Sequence, residues 1–336
     1  MRITILGLGS IGKRHLRTLL KIKSKFKIRE LSLYDTDFSR TEELKKLDKI
    51  VKVYQNFNDS IKGSDVIYLC TPTSSHIGLC EQINLKGKFH IFIEKPLSHT
   101  LDGCEKFIEV QLKNKKKASV GYMLRYNPIL TKIKSLIKSK KIGKLLSIKA
   151  ESGFYLPFWH PWEDYRDFYM SSKLGGGGVV LDTSHEIDYM VWLAGKINDV
   201  QGSYGTISNL KITSDDYASA LFTFENNIRG ELHLDLLQPA PSRNVKLIGT
   251  DGVLVGDLIN KTLSLSTVKN PKWKIEKFNF DIDDIYKEES TNVLNFFTGK
   301  KSNITTVEES YHVMQVIEGI RRSQHYGTRV RIPFYN

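Results

Sequence analysis

The sequence predicts an α/β protein of two domains: a parallel sheet covered by helices, then an α/β region built on a large, mostly antiparallel sheet. Three observations carry that reading. The chain has 336 residues, about two domains at roughly 150 residues each. Up to about Tyr122, short β-branched runs alternate with amphipathic stretches, as strand–helix–strand crossovers do. Beyond Tyr122, runs with period-two alternation follow one another across turns, as hairpins do. The domains are drawn at residues 1–121 and 122–336, with no flexible linker between them.

In the first domain, residues 3–6 and 30–34 read as strands with a helix over 11–21 between them. Strands over 65–70, 90–93 and 118–122 continue the series, separated by helical patterns at 75–85 and 101–113. Strands that alternate with helices imply right-handed crossovers and a sheet covered on both faces. In the second domain an amphipathic helix over 128–139 leads into a strand over 145–152 and an aromatic, irregular stretch over 154–169. A helix over 183–193 follows a glycine run, and then come strands over 217–224, 228–237, 245–249 and 253–258. Asn226-Asn227 between two of them suits a hairpin turn, because asparagine tolerates positive φ.

Composition narrows the function classes. Hydrophobic residues make up 40% and charged residues 26%, which excludes disorder, collagen and coiled coil. No run approaches the ~20 apolar residues of a membrane helix, and residues 2–6 read as a strand rather than a signal peptide. The expectation is a soluble cytoplasmic protein without a membrane partner. Cys70, Cys80 and Cys104 are too few and too irregularly spaced for a disulfide framework or a zinc site, so no metal is expected. Lys+Arg 50 against Asp+Glu 37 leave a net charge of +13. The lysine clusters carry no interleaved aromatics, so no nucleic-acid partner is expected; the charge favours anionic small molecules instead.

Gly7-Leu8-Gly9-Ser10-Ile11-Gly12 follows the first strand and opens a helix, the context that a dinucleotide fingerprint requires. Gly7 permits the tight turn, Gly9 the approach of backbone to a pyrophosphate, and Gly12 close helix–strand packing. Amides at Ser10 and Ile11 and the helix dipole then hold phosphate. Asp35 ends the second strand, 23 residues after Gly12, where a carboxylate receives the adenosine ribose hydroxyls and repels a 2′-phosphate. That favours NAD; Arg40, shortly after, keeps NADP open. Cys70-Thr71-Pro72-Thr73 and Glu94-Lys95-Pro96 stand at the carboxyl ends of later strands, where open α/β sheets bind ligands.

Taken together, Gly7-x-Gly9-x-x-Gly12-x-x-His15, Thr71-Pro72-x-x-x-His76, Glu94-Lys95-Pro96 and Gly121-Tyr122-Met123-Leu124-Arg125-Tyr126-Asn127-Pro128 resemble the Gfo/Idh/MocA oxidoreductases. The glycine run at 175–178 and Asp182-Thr183-Ser184-His185-Glu186-Ile187-Asp188 extend the resemblance over essentially the whole chain. It implies an N-terminal Rossmann NAD(P)-binding domain and a C-terminal α/β domain for substrate and oligomerisation, whose open sheet joins a homodimer or homotetramer. It also implies NAD(P)-dependent oxidation or reduction of a sugar-like alcohol or ketone. By the same resemblance Lys95 is the catalytic lysine, beside both nicotinamide and substrate, and Glu94 steadies the nicotinamide ribose. Thr71, Pro72 and His76 line the cofactor, although the family often has Asn where this chain has Thr73. Arg125 borders cofactor and Asn127 substrate. His185 is the catalytic histidine, and Asp182 the carboxylate one turn before it.

The family spaces that pair as Asp, three residues, His; this chain has two residues between Asp182 and His185. On one helix the i,i+3 spacing still shares a face. Thr183-x-x-Glu186 also has capping-box spacing, a structural alternative for the same segment. Histidine suits the proton transfer that accompanies hydride transfer, and a lysine ammonium suits the developing alkoxide. The reading is that Lys95 and His185 bracket one sugar hydroxyl. The aromatic stretch around Phe158, Trp159 and Tyr165 reads either as a plug at a core edge or as a wall for a sugar ring, with Arg166 available to a carboxylate or phosphate. The stretch resembles the family's surface-sugar biosynthesis branch and implies an acidic or nucleotide-linked substrate touched by Tyr165 and Arg166. His160 in the same stretch is a lesser candidate, and His233 is given no chemistry. Two other readings share the framework: a glycosidase that oxidises and re-reduces one carbon with NAD, and a non-catalytic NAD-binding sensor.

Overall fold

The computed structural model describes residues 1–159 and 163–334; His160 lies outside the described residues. In chain order the elements are β1 (Arg2–Leu6), α1 (Ser10–Ile22), β2 (Glu30–Tyr34), β3 (Val51–Val53), α2 (Phe57–Ile61), β4 (Val66–Leu69), α3 (His76–Lys86), β5 (His90–Glu94), α4 (Cys104–Lys113) and β6 (Ala118–Gly121). Then follow α5 (Pro128–Lys138), β7 (Leu145–Tyr155), α6 (Leu156–Trp159), α7 (Val179–Asp182), α8 (His185–Ala194), β8 (Ile197–Gly205), β9 (Tyr217–Phe224), β10 (Arg229–Asp235), β11 (Leu237–Gly249), β12 (Gly252–Asp257), β13 (Thr262–Thr267) and β14 (Asn270–Lys277). The chain ends with α9 (Ile282–Phe297), β15 (Thr305–Thr306), α10 (Val307–Tyr326) and β16 (Val330–Arg331).

Two compact units result: residues 1–123 with 281–311, and residues 124–280 with 312–336. The first is a Rossmann fold. Its sheet runs β15-β6-β5-β4-β1-β2-β3, parallel throughout except for β15, which pairs antiparallel with β6. The central strands are apolar at nearly every position because helices cover both faces; β4 (Val66-Ile67-Tyr68-Leu69) is buried along its whole length. On α1 the buried positions 12, 15, 16, 19 and 22 repeat at helical spacing and face Ile3, Ile5, Leu31 and Leu33 of the sheet. From α9 come Val293, Leu294 and Phe297 into the same core, so a segment that follows β14 of the second unit completes the first.

The second unit is an α/β domain on a nine-stranded sheet, β14-β13-β12-β11-β7-β10-β9-β8-β16, mostly antiparallel, with β10 parallel to β7. Ala218, Ala220, Phe222 and Phe224 line its buried face. The opposite face carries a cross-strand row of Leu221, Glu231, Lys149 and Lys246, with Ile248 two residues further along, all exposed.

Several elements differ from the sequence reading. Pro239 and Pro241 break the strand pattern after Leu237, yet β11 runs on through them. They fall in a register shift between Leu237 and Ser242, where a missing N–H costs no ladder bond. The strand expected over 145–152 continues to Tyr155. The helix expected over 183–193 is α8, which starts at His185, and Asp182 ends a separate short α7, so the pair does not share one helix. The capping box at the start of α8 does not form. The Thr183 hydroxyl donates to the Val179 carbonyl, Glu186 is held by Arg243, and the N-cap of α8 is Ser184.

His312 on α10 shows how burial tunes this unit. Its Nε2 accepts from the Ile197 amide at 3.0 Å, and burial, reinforced by Lys196, pushes its pKa from 6.5 down to about 4. A depressed folded-state pKa gives stability that is present above pH 6.5 and lost as the pH falls toward 4, about 3 kcal/mol in all. Urea unfolding between pH 7 and 4 should therefore show a flatter pH slope in His312→Gln than in the wild type.

Candidate cofactor and substrate sites

In the first unit the sheet order turns at β1 and β4: the chain passes from β1 outward through β2 and β3, then returns to build β4, β5 and β6 on the other side. That is the switch point at which open α/β sheets bind ligands. Gly7 has φ +89°, and a Cβ there would lie 2.6 Å from the Cys70 carbonyl oxygen. A Cβ on Gly12 would lie 1.9 Å from the Gly7 oxygen, so both glycines are demanded by the turn itself. At Gly9 a Cβ would meet nothing within 4 Å; the loop is open on the side where a pyrophosphate approaches. No side chain caps α1, which leaves the amides of Ser10 and Ile11 for phosphate oxygens.

Asp35, only 5% exposed, is tied to this loop: its Oδ2 accepts from the Leu8 amide at 2.5 Å and its Oδ1 from the Asp37 amide at 2.8 Å. Arg40 lies with Nη1 3.9 Å from Asp35 and Nε 3.1 Å from Asp37, so its charge is drawn to this acidic pair. The residues present fit a dinucleotide: an open glycine cradle, exposed helix-start amides and a carboxylate fixed beside them.

The loops after β4 and β5 are braced to one another. The ring of His76 is buried with Nε2 2.9 Å from the Thr71 carbonyl and Nδ1 2.9 Å from that of Pro96. Burial pushes its pKa below 6.5. His76 thus ties the segments that carry Thr71-Pro72 and Lys95. The Thr71 hydroxyl accepts from Ser75 at 2.7 Å. Glu94 ends β5 almost fully buried; its Oε1 receives His15 Nε2 at 2.5 Å and its Oε2 the Lys95 amide at 3.1 Å. Lys95 itself is half-buried and precedes a cis Pro96. His15 stands in the sequence motif without an assigned role, and only the fold reveals it as the support of Glu94. Glu289 on α9 brings a carboxyl to within 4.8 Å of both. No sequence signal links residue 289 to residue 94.

In the second unit Asp182 and His185 are both buried at the junction of α7 and α8. The Tyr169 hydroxyl donates to Asp182 Oδ1. Tyr169 is brought there by the glycine run: a Cβ on Gly177 would sit 2.3 Å from the Tyr169 carbonyl oxygen. The first turns of α8 are clamped twice. Glu186 takes Arg243 in two hydrogen bonds of 2.7 and 3.0 Å, and Asp188 takes Arg125 in two of 2.9 and 2.8 Å. Arg125, expected at the cofactor, therefore spends its Nε and Nη2 on Asp188. The Asn127 carboxamide oxygen accepts from the Ile129 amide at 2.9 Å and caps α5, with Pro128 in the first turn as helix starts prefer.

Leu156 is fully buried, whereas Phe158 and Trp159 are exposed. The Tyr165 hydroxyl accepts from the Lys211 amide at 3.2 Å. Arg166 is exposed and held by Asp164, whose carboxyl it keeps at a pKa of about 2 through side-chain and backbone hydrogen bonds. A polar cavity of about 500 Å³, lined by Lys173, Thr213, Asp215, Arg321 and His325 among others, contains none of the residues singled out from the sequence.

Comparison with known proteins joins the two halves of this description. Among curated proteins, an uncharacterized oxidoreductase YrbE of Bacillus subtilis is 27% identical over 66% of this chain. The match spans 63% of that relative, less than two thirds of its length. Myo-inositol 2-dehydrogenase of Thermotoga maritima is 24% identical over 80% of this chain and 78% of its own. Among solved structures, a levoglucosan dehydrogenase in complex with NADH and levoglucosan matches with a TM-score of 0.88 at 16% identity, covering 100% of both chains; this is a likeness of fold. Residues 1–122 match the family model of the oxidoreductase family with NAD-binding Rossmann fold, and residues 130–255 match that of the GFO/IDH/MocA C-terminal domain. The chain belongs to the Gfo/Idh/MocA family of oxidoreductases.

Proposed function

We propose that the protein is a nicotinamide-dependent dehydrogenase or reductase. It transfers a hydride between NAD(H) and a hydroxyl- or keto-bearing carbon of a sugar or cyclic polyol. The observation that carries this reading is the open glycine cradle at the switch point with Asp35 fixed to it, on a chain whose relatives include a myo-inositol 2-dehydrogenase. When bound, the nicotinamide supplies the hydride acceptor or donor.

The chain's own residues divide the remaining work. The loop amides and the start of α1 hold the pyrophosphate, and Asp35 accepts the ribose hydroxyls. Lys95 is the cation that stabilises the alkoxide form of the reacting oxygen. His185 holds or releases the hydroxyl proton, with Asp182 as its acidic neighbour in the chain. Asn127, Tyr165 and Arg166 belong to the substrate side. A narrower reading makes the substrate an acidic or nucleotide-linked sugar of surface-polysaccharide biosynthesis. Because Asp164 already occupies Arg166, such a substrate has to displace that carboxylate. We place the contact of a homodimer or homotetramer on the exposed sheet face that bears Leu221 and Ile248.

Absorbance at the NADH band across a panel of inositols, neutral sugars, sugar acids and nucleotide sugars, each offered NAD and NADP, tests the proposal. A carboxylate beside the adenosine ribose repels a 2′-phosphate, so NAD should exceed NADP at least tenfold in kcat/KM. A strong NADP preference would remove the role given to Asp35. Failure of every polyol and sugar to reduce either coenzyme would remove the dehydrogenase.

A further inference from the structure

The first unit holds a titratable cluster that the reading above leaves unused. His15 on α1, Glu94 at the end of β5 and Glu289 on α9 each bring one polar atom within 4.8 Å of the others. All three are buried, and the rings of Tyr68, Phe92 and Tyr286 stand 5.5, 5.1 and 5.6 Å from that of His15. Glu94 is fully engaged, with His15 on one oxygen and the Lys95 amide on the other. Glu289 is the opposite case: it is 1% exposed, and neither carboxyl oxygen has a hydrogen-bond partner among the described residues. His15 Nδ1 has no hydrogen-bond partner among the described residues either.

Charge decides what Glu289 is. The groups facing it are His15 from α1, Tyr68 and Cys70 from β4 and its end, Glu94 from β5, and Tyr286 from its own helix, with Arg14 of α1 beyond Tyr286. Ionising both carboxylates would leave a buried negative charge that one imidazole cannot offset. A neutral Glu289 leaves one carboxylate beside the imidazole and adds a proton donor to the cluster. Burial, and then the charge of Glu94, push the Glu289 pKa well above its ordinary 4.5. One oxygen of each carboxyl lies within 4.8 Å of one of the other, and one water spans such a gap with two bonds of about 2.8 Å.

We propose that Glu289 is a positioning residue: held as the neutral acid, it donates a hydrogen bond to one buried water that in turn donates to Glu94, and so keeps Glu94 aligned on His15 and on the peptide of Lys95. The effect on turnover rests on the assignment of Lys95 made above; the protonation state of Glu289 does not.

Two substitutions test it. Glu289→Gln keeps the shape and a donor without a titratable proton; Glu289→Met keeps the volume and removes the donor. The infrared difference between wild type and E289Q at pH 7 should show a protonated carboxyl; an ionised carboxylate there overturns the proposal. A raised folded-state pKa gives stability that is complete below pH 4.5 and declines as the pH rises toward the folded value. The melting temperature of E289Q should therefore gain on wild type as the pH rises above 4.5, and the gap should close below it. A constant gap contradicts the neutral acid. In turnover, E289M should lose at least tenfold in kcat with KM for NAD within twofold, and E289Q should restore it to within threefold. Loss of melting temperature in E289M with kcat intact would make Glu289 merely structural. A wild type inert toward every sugar would end the dehydrogenase reading while the infrared and pH results still stood.

Discussion

Lys95→Ala should lower kcat by two to three orders of magnitude while the affinity for NAD stays within about threefold. The separation of the two effects follows from where the binding groups sit. On the proposed reading, pyrophosphate and adenosine are held by Gly7, Gly9, the first turn of α1 and Asp35, a loop shaped by its own glycines and by the Leu8–Asp35 bond. The main chain at Lys95 is fixed independently: its amide is bonded to Glu94, and the carbonyl of Pro96 to His76. Truncating the side chain therefore removes the ammonium and leaves the loop in place. A single preorganised charge or donor at an oxyanion is worth about 3–4 kcal/mol, or 10²–10³ in rate. Lys95→Arg keeps the charge but spreads it over a planar fork, and should recover only part of the loss. Steady-state kinetics with calorimetric titration of NAD separates the outcomes. Near-normal turnover would strip Lys95 of its catalytic role, and a collapse of NAD affinity would make it a binding residue instead.

The cofactor half of the site was legible because its physics is local. Gly7, Gly9 and Gly12 fall within six consecutive residues, the turn they permit is made by the same few residues, and Asp35 is one strand further on. Glu94-Lys95-Pro96 could be placed because the carboxyl end of a parallel strand is a fixed location relative to that turn. What escaped is non-local. Glu289 lies 195 positions after Glu94, on a helix whose own pattern says only that one face is buried; nothing in it names the partner. The bidentate pairs Arg125–Asp188 and Arg243–Glu186 join residues 63 and 57 positions apart, and a buried acid on a helix looks in sequence like a solvated one. Strand β14 was missed for another reason. β14 is exposed at every position, so it lacks the apolar alternation by which a half-buried strand announces itself.

The largest stability effect should come from Arg125→Ala, with a loss of about 3–5 kcal/mol. Arg125 and Asp188 are both about 1% exposed, and the guanidinium meets the carboxylate in two parallel bonds. Removing the cation leaves Asp188 buried without the group that offsets its charge, and that penalty exceeds the net contribution of the intact pair. Arg125→Lys keeps a charge but offers a point where the carboxylate has a fork, and should cost less but clearly more than a surface substitution. The double variant Arg125→Met, Asp188→Leu should recover most of the loss, because an apolar pair of similar volume needs no desolvation of charge. Urea unfolding of the wild type, Arg125→Met, Asp188→Leu and the double variant closes a double-mutant cycle; a loss below about 1 kcal/mol in R125A would mean that the interior tolerates Asp188 without the guanidinium. The same pair also bears on the chemistry. Asp188 lies one turn after His185 on α8, and with Glu186 on Arg243 it fixes the rotation of that helix. Arg125→Ala should therefore lower kcat even at temperatures where the variant is fully folded, whereas an equally destabilising cavity elsewhere, such as Phe222→Ala on β9, should not.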